Sequence, residues 1–547
     1  MSFFQLVRHE MDGSLGRLAF VSGMGGISTT AIIGAINAGA GAADRGELSL
    51  WAAGFFVVAL LLFVQTQHYI LITTTAEIGA IIHKIRVRLL DYVRRSELLP
   101  LESIGRAEIV SAITGDTAIL TQASNMLAFA AQGALLIVLV MGYVAYLSLF
   151  AFVLSVIIVG VGALVFHSKT KQHALEMREA AQWENRLYDR LSDVLDGFKE
   201  VRLNRARSDA LLEHVVEVSR VAANIKIRTQ SETFRRMVML QTSLFTLLGA
   251  VAFVVPLFSG ALEPGTVTKA VTALVFIVGS CSGLVQSIPI IAAANTAADR
   301  LVQLENKLSG MTSLSDDAPM VQAKSFSRIE MRDVEFHYPG KSADTVFKVG
   351  PFNFTLNSGD LVILTGGNGS GKSTFMKLLA GFYRPASGQL LLDGTPVTGE
   401  RYEYYRSLIT AIFPDFHLFQ RLYGINDPDP AEIDRLLTQF KLQDKTRLTH
   451  GEFQTTDLSS GQRRRLALIV AQLEKRPLLM LDEWAADQDP EFRRKFYFEF
   501  LPALHRAGVT VVAISHDDRY IDEMDVPKRL LRMDEGRFTE LSSVETG

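Results

Sequence analysis

The sequence has a single cysteine, Cys281, among its 547 residues. A lone cysteine excludes an intrachain disulfide framework and a cysteine-based zinc site, and its apolar surroundings indicate a buried, inert thiol. Neither sign of charge is in large excess, because 55 Lys and Arg residues nearly balance 58 Asp and Glu residues, which gives a net charge of −3. This balance argues against nucleic acid as the main partner. The N-terminus lacks a short apolar core with a small-residue cleavage site, so the first apolar stretch is predicted to be a retained membrane helix rather than a signal peptide.

Apolar residues are plentiful, at 48% of the chain, and the mean hydropathy is +0.21. Six stretches are each about 20 residues long, which is enough to cross the hydrocarbon core of a bilayer. The predicted spans lie at about 18–38, 50–72, 126–146, 147–166, 238–258 and 267–291. The first is rich in small residues, which let helices approach closely in lipid. Almost no polar residue separates the third span from the fourth.

Long connections rich in Lys and Arg follow the second and the fourth span, whereas the others are short and poor in these residues. By the positive-inside tendency, the long connections and both termini are cytoplasmic. The long connections keep a helical periodicity, so the membrane helices are predicted to continue into the cytoplasm. Each is broken near its middle, at 99–105 and at 197–204, where a short cross-helix could dock on a cytoplasmic domain. Residues 305–327 are polar and are interpreted as a linker to a soluble α/β domain that begins at residue 328.

One stretch of this second domain carries the strongest motif. A buried strand is predicted at Leu361–Leu364, and a glycine-rich turn leads from it into a predicted helix. In that context, residues 366–373 match G-x-x-x-x-G-K-[ST]. Glycines let backbone N–H groups turn toward phosphate oxygens, Lys372 supplies a charge to the β- and γ-phosphates, and the Ser373 hydroxyl is a ligand for Mg²⁺. The loop residues predicted to bind ATP are Gly366, Gly367, Asn368, Gly369, Ser370, Gly371, Lys372, Ser373 and Thr374.

Two further apolar strands end in candidate catalytic groups. Leu478–Leu481 is followed at once by Asp482 and Glu483. The first carboxylate would lie beside a bound Mg²⁺, and the second could orient and deprotonate the attacking water; the alternative is a solvated acidic turn. Val509–Ile514 leads to His516, and a histidine at the carboxyl end of a buried parallel strand faces the ligand edge of the sheet. A purely structural histidine is the alternative there.

Weaker signals flank these strands. Tyr338 lies at the end of a predicted strand and could stack on adenine, although a strand-end tyrosine is more often a packing residue. The segment Leu458–Gln462 can present a serine hydroxyl and a glycine N–H at a helix N-terminus, which is an anion-binding arrangement. Composition alone shows only a helix start there, because serine is a good N-cap. Arg463–Arg465 follow and, as a bare charge run, predict a solvated face.

Taken together, these segments resemble the ATP-binding-cassette (ABC) family over most of the chain. GGNGSGKST resembles the Walker A loop, LLMLDE the Walker B strand, LSSGQ the ABC signature and ISHD the histidine switch. The resemblance implies a membrane all-α six-helix ABC exporter domain fused to a soluble α/β P-loop ATP-binding cassette, in a half-transporter that couples ATP hydrolysis to transport. The predicted boundaries are 1–304 for the transmembrane domain, 305–327 for the linker and 328–547 for the cassette.

The resemblance also implies cofactors, partners and roles. ATP and Mg²⁺ are the expected cofactors, with Ser373 and Asp482 as metal ligands and His516 as a catalytic contact to the γ-phosphate. Tyr338 corresponds to the adenine-stacking ring, and Asp489 to the aspartate of the D-loop. In the family, two chains pair so that the signature of one closes on the ATP of the other, which implies a homodimer with two equivalent sites. The signature residues that would serve the partner's site are Leu458, Ser459, Ser460, Gly461 and Gln462.

A narrower resemblance is to exporters of cyclic peptides, lasso-peptide microcins and peptide siderophore precursors. It is carried by Trp484–Pro490, by FRRKFY and by Ser515–Tyr520; most exporters have Pro-Thr-Ser-Ala where this chain has Trp484–Asp487. It implies export of a peptide-type substrate across the bacterial inner membrane. One departure concerns Pro414, which occupies the place of the Q-loop glutamine and cannot coordinate through its side chain, so that role is not carried over. The adjacent Asp415 is a candidate substitute.

Several alternatives remain open from the sequence. They are an importer of ferric siderophores on the same architecture, a broad lipid or drug flippase, and a membrane ATPase that regulates a partner without moving a solute. A leader-cleaving role is not expected, because no peptidase-like domain precedes the first span. Polar residues in and beside the spans could line a substrate path or form interhelical hydrogen bonds. They are Gln65, Gln67, His68, Glu77, Asn125, Gln132, Gln286 and Asn295.

Overall fold

The computed structural model describes residues 3–10, 15–43, 45–167, 170–258, 265–311, 325–338, 347–425 and 428–541. The chain divides into two compact units, one formed by 1–90 with 107–306 and the other by 91–106 with 307–547. The second unit therefore includes a short segment, 91–106, from the region predicted as the transmembrane domain.

The described residues up to 311 form helices joined by short turns. The helices are α1 (Phe3–Glu10), α2 (Leu15–Ala43), α3 (Leu50–Arg95), α4 (Leu98–Ile104), α5 (Arg106–Ser111), a π-helical turn (Ala112–Asp116), α6 (Thr117–Leu147), α7 (Leu149–His167), α8 (Thr170–Asp196), α9 (Phe198–Leu203), α10 (Arg205–Phe253), α11 (Val255–Phe258) and α12 (Thr266–Ser309). Five stretches within the described ranges are long and apolar enough to cross a membrane: Phe20–Ala43, Leu50–Arg95, Arg106–Leu147, Arg205–Leu257 and Thr266–Ser309.

These five stretches coincide with five of the six predicted spans. The fourth predicted span coincides with α7, which Ser148 separates from α6, and its described apolar part, Leu149–Gly162, is shorter. The count of six spans therefore stays a prediction. The predicted continuation of helices beyond the spans is confirmed, because α3, α10 and α12 contain 46, 49 and 44 residues, whereas about 20 suffice to cross a bilayer.

The last helix of the first 311 residues, α12, continues to Ser309, past the predicted start of the linker at residue 305. The boundaries of the domains and the linker stay predictions. Leu301, Leu304 and Leu308 are buried at intervals of three and four residues, so one face of α12 stays buried to its last turn. The middle of the predicted linker, 312–324, lies outside the described residues. Cys281, on the same helix, is half-buried.

Ion pairs and hydrogen bonds join the first helix to α3 and α12. The buried carboxylate of Glu10 lies 2.7 Å from Arg88 on α3, and Arg88 also lies 2.7 Å from Glu305 on α12. The backbone N–H of Phe3 donates to Asn295 Oδ1 at 2.8 Å. For Asn295, this contact favours a role in hydrogen bonding between helices over a role in lining a substrate path. The side chain of Asn125 lies outside the described part of the structure.

Both predicted helix breaks contain a short cross-helix. α4 ends at Gly105, whose φ of +84° turns the chain into α5. α9 lies between Gly197 and Asn204, and the Asn204 side chain caps α10 by accepting a hydrogen bond from the Arg207 N–H at 3.1 Å. Neither cross-helix has a fully buried residue, but their surroundings differ. Leu98 and Leu99 of α4 are partly buried against a hydrophobic cluster of the second unit, whereas all residues of α9 except Val201 are exposed.

The rest of the second unit alternates strands and helices. Its elements are β1 (Arg328–His337), β2 (Lys348–Asn357), β3 (Leu361–Gly366), α13 (Lys372–Leu379), β4 (Ser387–Leu392), β5 (Thr395–Pro396), α14 (Arg401–Arg406), β6 (Ile409–Ile412), α15 (Pro430–Gln439), β7 (Leu448–Thr449), β8 (Glu452–Phe453), α16 (Ser460–Leu473), β9 (Leu478–Asp482), α17 (Pro490–Lys495), a π-helical turn (Phe496–Phe500), α18 (Leu501–Arg506), β10 (Thr510–Ile514), α19 (Asp518–Glu523), β11 (Arg529–Asp534) and β12 (Arg537–Leu541).

Two sheets organise this unit, with a short third hairpin of β7 and β8. The larger has the order β12-β11-β3-β10-β9-β6 and is parallel except for its edge strand β12; the smaller is antiparallel, in the order β2-β1-β4-β5. Neighbouring residues of the central strands face opposite sides of the larger sheet. Val362 and Leu364 join one hydrophobic cluster, and Leu361 and Ile363 join the other. Burial on both faces explains why these strands are continuous apolar runs rather than alternating ones.

The register of the parallel strands determines where the polar ends meet. Ile514 at the end of β10 is paired with Leu364 of β3 on one side and with Asp482 of β9 on the other. The carboxyl ends of β3, β9 and β10 therefore lie side by side, at the edge where parallel sheets bind ligands. This edge contains the three motifs that the sequence places after these strands.

Candidate ATP-binding site

The loop between β3 and α13 requires glycine where other backbone comes close. Gly366 has a φ of +144°, and a Cβ there would lie 2.2 Å from the carbonyl oxygen of Met533. Gly371 has a φ of +104°, and a Cβ would lie 2.9 Å from Val349 Cγ1. At both positions the backbone adopts a conformation that residues other than glycine disfavour, and there is too little space for a Cβ atom. The predicted phosphate loop therefore has the backbone shape that its glycines allow.

The lysine of the loop folds back over it. Lys372 Nζ donates to the carbonyl oxygens of Gly366 and Gly367 at 2.9 and 2.8 Å. Burial lowers the pKa of this ammonium, while the carboxylates of Glu483 and Asp482 act in the opposite direction. The ammonium is thus held against the backbone of the loop that is predicted to bind phosphates.

Asp482 has the features of a metal ligand. It is 1% exposed, and neither of its carboxylate oxygens has a hydrogen-bond partner of good geometry among the described residues. Burial raises its pKa, whereas the nearby Ser373 hydroxyl and Lys372 act to lower it. A buried carboxylate without a partner beside an exposed serine hydroxyl fits a divalent cation that draws its remaining ligands from phosphates and water. Among the described residues, no cluster of three or more His, Cys, Asp or Glu side chains could hold a metal by itself.

The structure brings the two predicted catalytic residues, Glu483 and His516, into contact. The Oε1 atom of Glu483 lies 3.1 Å from His516 Nε2, and both side chains are partly exposed at the sheet edge. Glu483 has a φ of +52°, in the left-handed region. The π-helical turn supports the histidine indirectly, because the Tyr497 hydroxyl contacts Ser515 Oγ at 2.5 Å and donates to Asp517 at 3.0 Å, on either side of His516.

Tyr338 lies close to the phosphate loop and also has packing partners. Its hydroxyl lies 3.1 Å from Thr374 Oγ1, in the first turn of α13. Its ring meets Phe336 and Tyr383 edge to face, with centroids 5.1 and 5.8 Å apart. The half-buried ring is therefore near the site, and adenine stacking stays a prediction.

The predicted signature segment forms the start of α16. Ser459 is its N-cap: the Ser459 hydroxyl accepts from the Gln462 N–H, and the Gln462 side chain accepts from the Ser459 N–H. Gly461 packs so closely that a Cβ would lie 2.7 Å from the Asp487 carbonyl oxygen. Asp489 caps α17 by accepting from the Phe492 N–H at 3.0 Å.

The solvated face predicted for Arg463–Arg465 is wrong for two of the three residues. Arg463 is exposed, but Arg464 and Arg465 are buried and paired with Asp487 at 2.9 Å and Asp489 at 2.5 Å. Helical spacing does not identify them, because every residue from Arg464 to Ile469 is buried and α16 has no single buried face.

A second set of contacts that the sequence did not predict in detail joins α4 to this unit. Glu97 lies 2.8 Å from Arg384 and 3.3 Å from Arg406. Glu102 lies 3.1 Å from Lys377, on the helix that begins at the phosphate loop, and accepts from the Tyr383 hydroxyl at 2.8 Å. Leu98 and Leu99 pack against the adjoining hydrophobic cluster. The proposed docking of the first cross-helix thus has a defined set of partners.

Pro414 and Asp415 follow β6 and are both exposed. They lie in a turn that is closed by the Phe416 N–H, which donates to the Phe413 carbonyl at 3.2 Å. Asp415 as a substitute for the Q-loop glutamine stays a prediction.

Comparison with known proteins agrees with this geometry. The ABC transporter family model matches residues 349–486. The chain is also similar to the ATP-binding protein SyrD of Pseudomonas syringae pv. syringae, at 33% identity over 527 residues, covering 93% of this chain and 91% of that protein. The chain belongs to the ABC transporter family.

Other similarities extend over the fold or over parts of the transporter. A solved structure of a bacterial Atm1-family ABC exporter with ATP bound covers 97% of this chain and 95% of its own, with a TM-score of 0.76 and 18% identity. An ATP-dependent lipid A-core flippase of Xylella fastidiosa is 28% identical over 63% of this chain and 59% of that protein. The transporter thus has the fold of an ABC exporter half-transporter, is a multi-pass membrane protein with a cytoplasmic cassette, and couples ATP hydrolysis to transport.

Proposed function

We propose that this transporter is a homodimer that exports a peptide-type substrate across the bacterial inner membrane. The observation that carries the chemistry is the meeting of three strand ends, which places the phosphate loop, Asp482, Glu483 and His516 along one edge of the sheet. The cargo class is supported by the segment Trp484–Asp487, which replaces the Pro-Thr-Ser-Ala of most exporters.

In this proposal each site residue has a defined task. Lys372 and the N–H groups of the loop bind the phosphates; Ser373 and Asp482 would hold Mg²⁺, which would supply positive charge beside the phosphate oxygens. Glu483 takes a proton from the attacking water, and its 3.1 Å contact with His516 holds both side chains toward the γ-phosphate position. Tyr338 would stack on adenine from its position beside Thr374.

A second copy completes the site. Each chain carries one phosphate loop and one signature segment. Ser459 and Gly461 at the N-terminus of α16 would hold the γ-phosphate of the partner's ATP. The second cross-helix supports pairing, because Phe198 and Leu203 on α9 are 59% and 88% exposed and would be covered by the cassette of another copy. Closure of the cassettes on ATP would then move the spans through α4 and α9.

A lipid flippase is the second candidate, since the chain is 28% identical to an ATP-dependent lipid A-core flippase over 63% of its length. The cargo is tested in proteoliposomes whose cassettes face the outside, supplied with Mg-ATP and either labelled cyclic peptides or labelled phospholipids. We expect ATP-dependent accumulation of peptide in the lumen, and none for Glu483→Gln. Translocation of lipid alone would favour the flippase. ATP-dependent loss of preloaded siderophore from the lumen would favour an importer. ATP turnover without transport of any of these compounds would favour a membrane ATPase that regulates a partner.

A further inference from the structure

The segment that follows Glu483 is joined to the signature helix by its side chains. The indole N–H of Trp484, which is 1% exposed, donates to the Arg464 carbonyl at 2.8 Å. The amide of Gln488 donates to the Gly461 carbonyl at 3.1 Å. Two buried hydrogen bonds therefore connect the first two turns of α16 to residues 484–488 of the same chain.

The side chain of Arg464 continues this connection to the catalytic residue. Its Nε lies 2.9 Å from Asp487 Oδ2, and its Nη1 donates to the backbone carbonyl of Glu483. The Arg464 side chain is only 10% exposed, so water competes little for its donors. A planar guanidinium can serve two acceptors in fixed directions, which the single nitrogen of a lysine cannot do.

The carbonyl that Arg464 contacts belongs to a residue whose backbone needs support. Glu483 has a φ of +52°, a conformation that persists in a residue other than glycine only where its surroundings maintain it. Its N–H donates to the Ile514 carbonyl at 3.2 Å, and its carbonyl also accepts from the Ala486 N–H at 3.2 Å. With this backbone geometry, the Glu483 Oε1 atom lies 3.1 Å from His516 Nε2.

We propose that Arg464 is a positioning residue that fixes the backbone of Glu483 and joins it to the signature helix of the same chain. The inference rests on the proposed pairing of two copies and on Glu483 as the base. When the signature closes on the partner's ATP, the movement of α16 reaches this chain's own Glu483 through Arg464, Asp487 and Trp484. Each site is thereby readied by the nucleotide in the other.

The test compares three substitutions in the full-length transporter reconstituted in lipid. Arg464→Gln removes both contacts, Arg464→Lys keeps the charge but cannot reach both acceptors, and Asp487→Asn changes a side chain that is 43% exposed and threatens folding least. The matched control is Lys475→Gln, which breaks an ion pair of 2.9 Å with Glu432 just beyond the other end of α16. Steady-state ATP turnover gives kcat and KM, and retention of ATP after gel filtration is measured in the Glu483→Gln background.

We expect kcat of Arg464→Gln to fall about 10- to 100-fold, because a catalytic group displaced by about 1 Å loses rate on this scale. The KM of Arg464→Gln for ATP should stay within about twofold of the parent value. The kcat of Arg464→Lys should lie between those of the parent chain and Arg464→Gln, and the kcat of Asp487→Asn should fall severalfold. Arg464→Gln should leave ATP retention in Glu483→Gln unchanged. The inference would be overturned if all three variants turned over ATP as fast as the control. It would also be overturned if Arg464→Gln raised the KM for ATP and abolished ATP retention, because Arg464 would then be an ATP-binding residue. If Glu483→Gln alone retains no ATP, the proposed function itself fails.

Discussion

The contacts of α4 allow a quantitative prediction for the double substitution Glu97→Gln/Glu102→Gln. Glu97 has an 11% exposed side chain and two arginine partners, whereas the Glu102 side chain is 41% exposed. Charge-assisted hydrogen bonds contribute about 1.5–3 kcal/mol each, and exposed ion pairs at most about 1 kcal/mol. Since Arg384 and Arg406 are themselves partly exposed, the substitutions should weaken docking of α4 by about 2–3 kcal/mol, or about 30- to 150-fold.

Hydrogen exchange followed by mass spectrometry measures this loss directly. The backbone amides of residues 98–104 should exchange up to about 30- to 150-fold faster, whereas those of α9 should keep their exchange rates. The glutamine carbonyl can still accept from Tyr383, so the fold of the cassette should be retained. Glu432→Gln, which breaks the ion pair with Lys475, is the control and should leave α4 unchanged. Exchange of α4 within threefold of the parent chain would show that these ion pairs do not hold the helix, and the reasoning would be refuted.

Three further predictions concern the cassette. Trp484→Ala should destabilise it by about 3–5 kcal/mol, because a fully buried indole stacked on a phenylalanine is lost, and denaturant unfolding without nucleotide measures this. Gly366→Ala should cost several times more stability than Gly369→Ala in the same assay, since a Cβ at the first position meets a carbonyl at 2.2 Å and at the second has open space; equal losses would contradict the loop geometry. Tyr497→Phe should lower kcat severalfold with KM for ATP retained, because the residues flanking His516 lose their shared hydroxyl partner; unchanged turnover would remove this tyrosine from the support of the histidine.

The elements of the cassette were predictable from sequence because each motif carries its own local cause. A continuous apolar run predicts a strand buried on both faces, and β3, β9 and β10 form where such runs occur. Parallel pairing then brings their polar ends together without further information. The helix breaks were equally local, because Gly105 and Gly197 interrupt otherwise continuous helical patterns.

Contacts between distant segments were not predictable in the same way. A run of three arginines predicts a solvated face unless the carboxylates that neutralise two of them are known to lie nearby. Asp487 pairs with Arg464 across 23 residues of sequence, and Asp489 pairs with Arg465 across 24. The partners of Glu97 lie 287 and 309 residues along the chain. Only the packing of α4 and α16 brings such charges together, and packing depends on the whole fold.

The central claim is that ATP is enclosed between the phosphate loop of one copy and the signature of another. It is tested by co-expressing two differently tagged chains, both carrying Glu483→Gln, one with Lys372→Ala and the other with Ser459→Ala. The measurement is the ATP retained by the purified mixed dimer after gel filtration. The account predicts about one ATP per mixed dimer, because one composite site remains intact, and none for either homodimer. No ATP in the mixed dimer, while the Glu483→Gln parent retains it, would contradict the account.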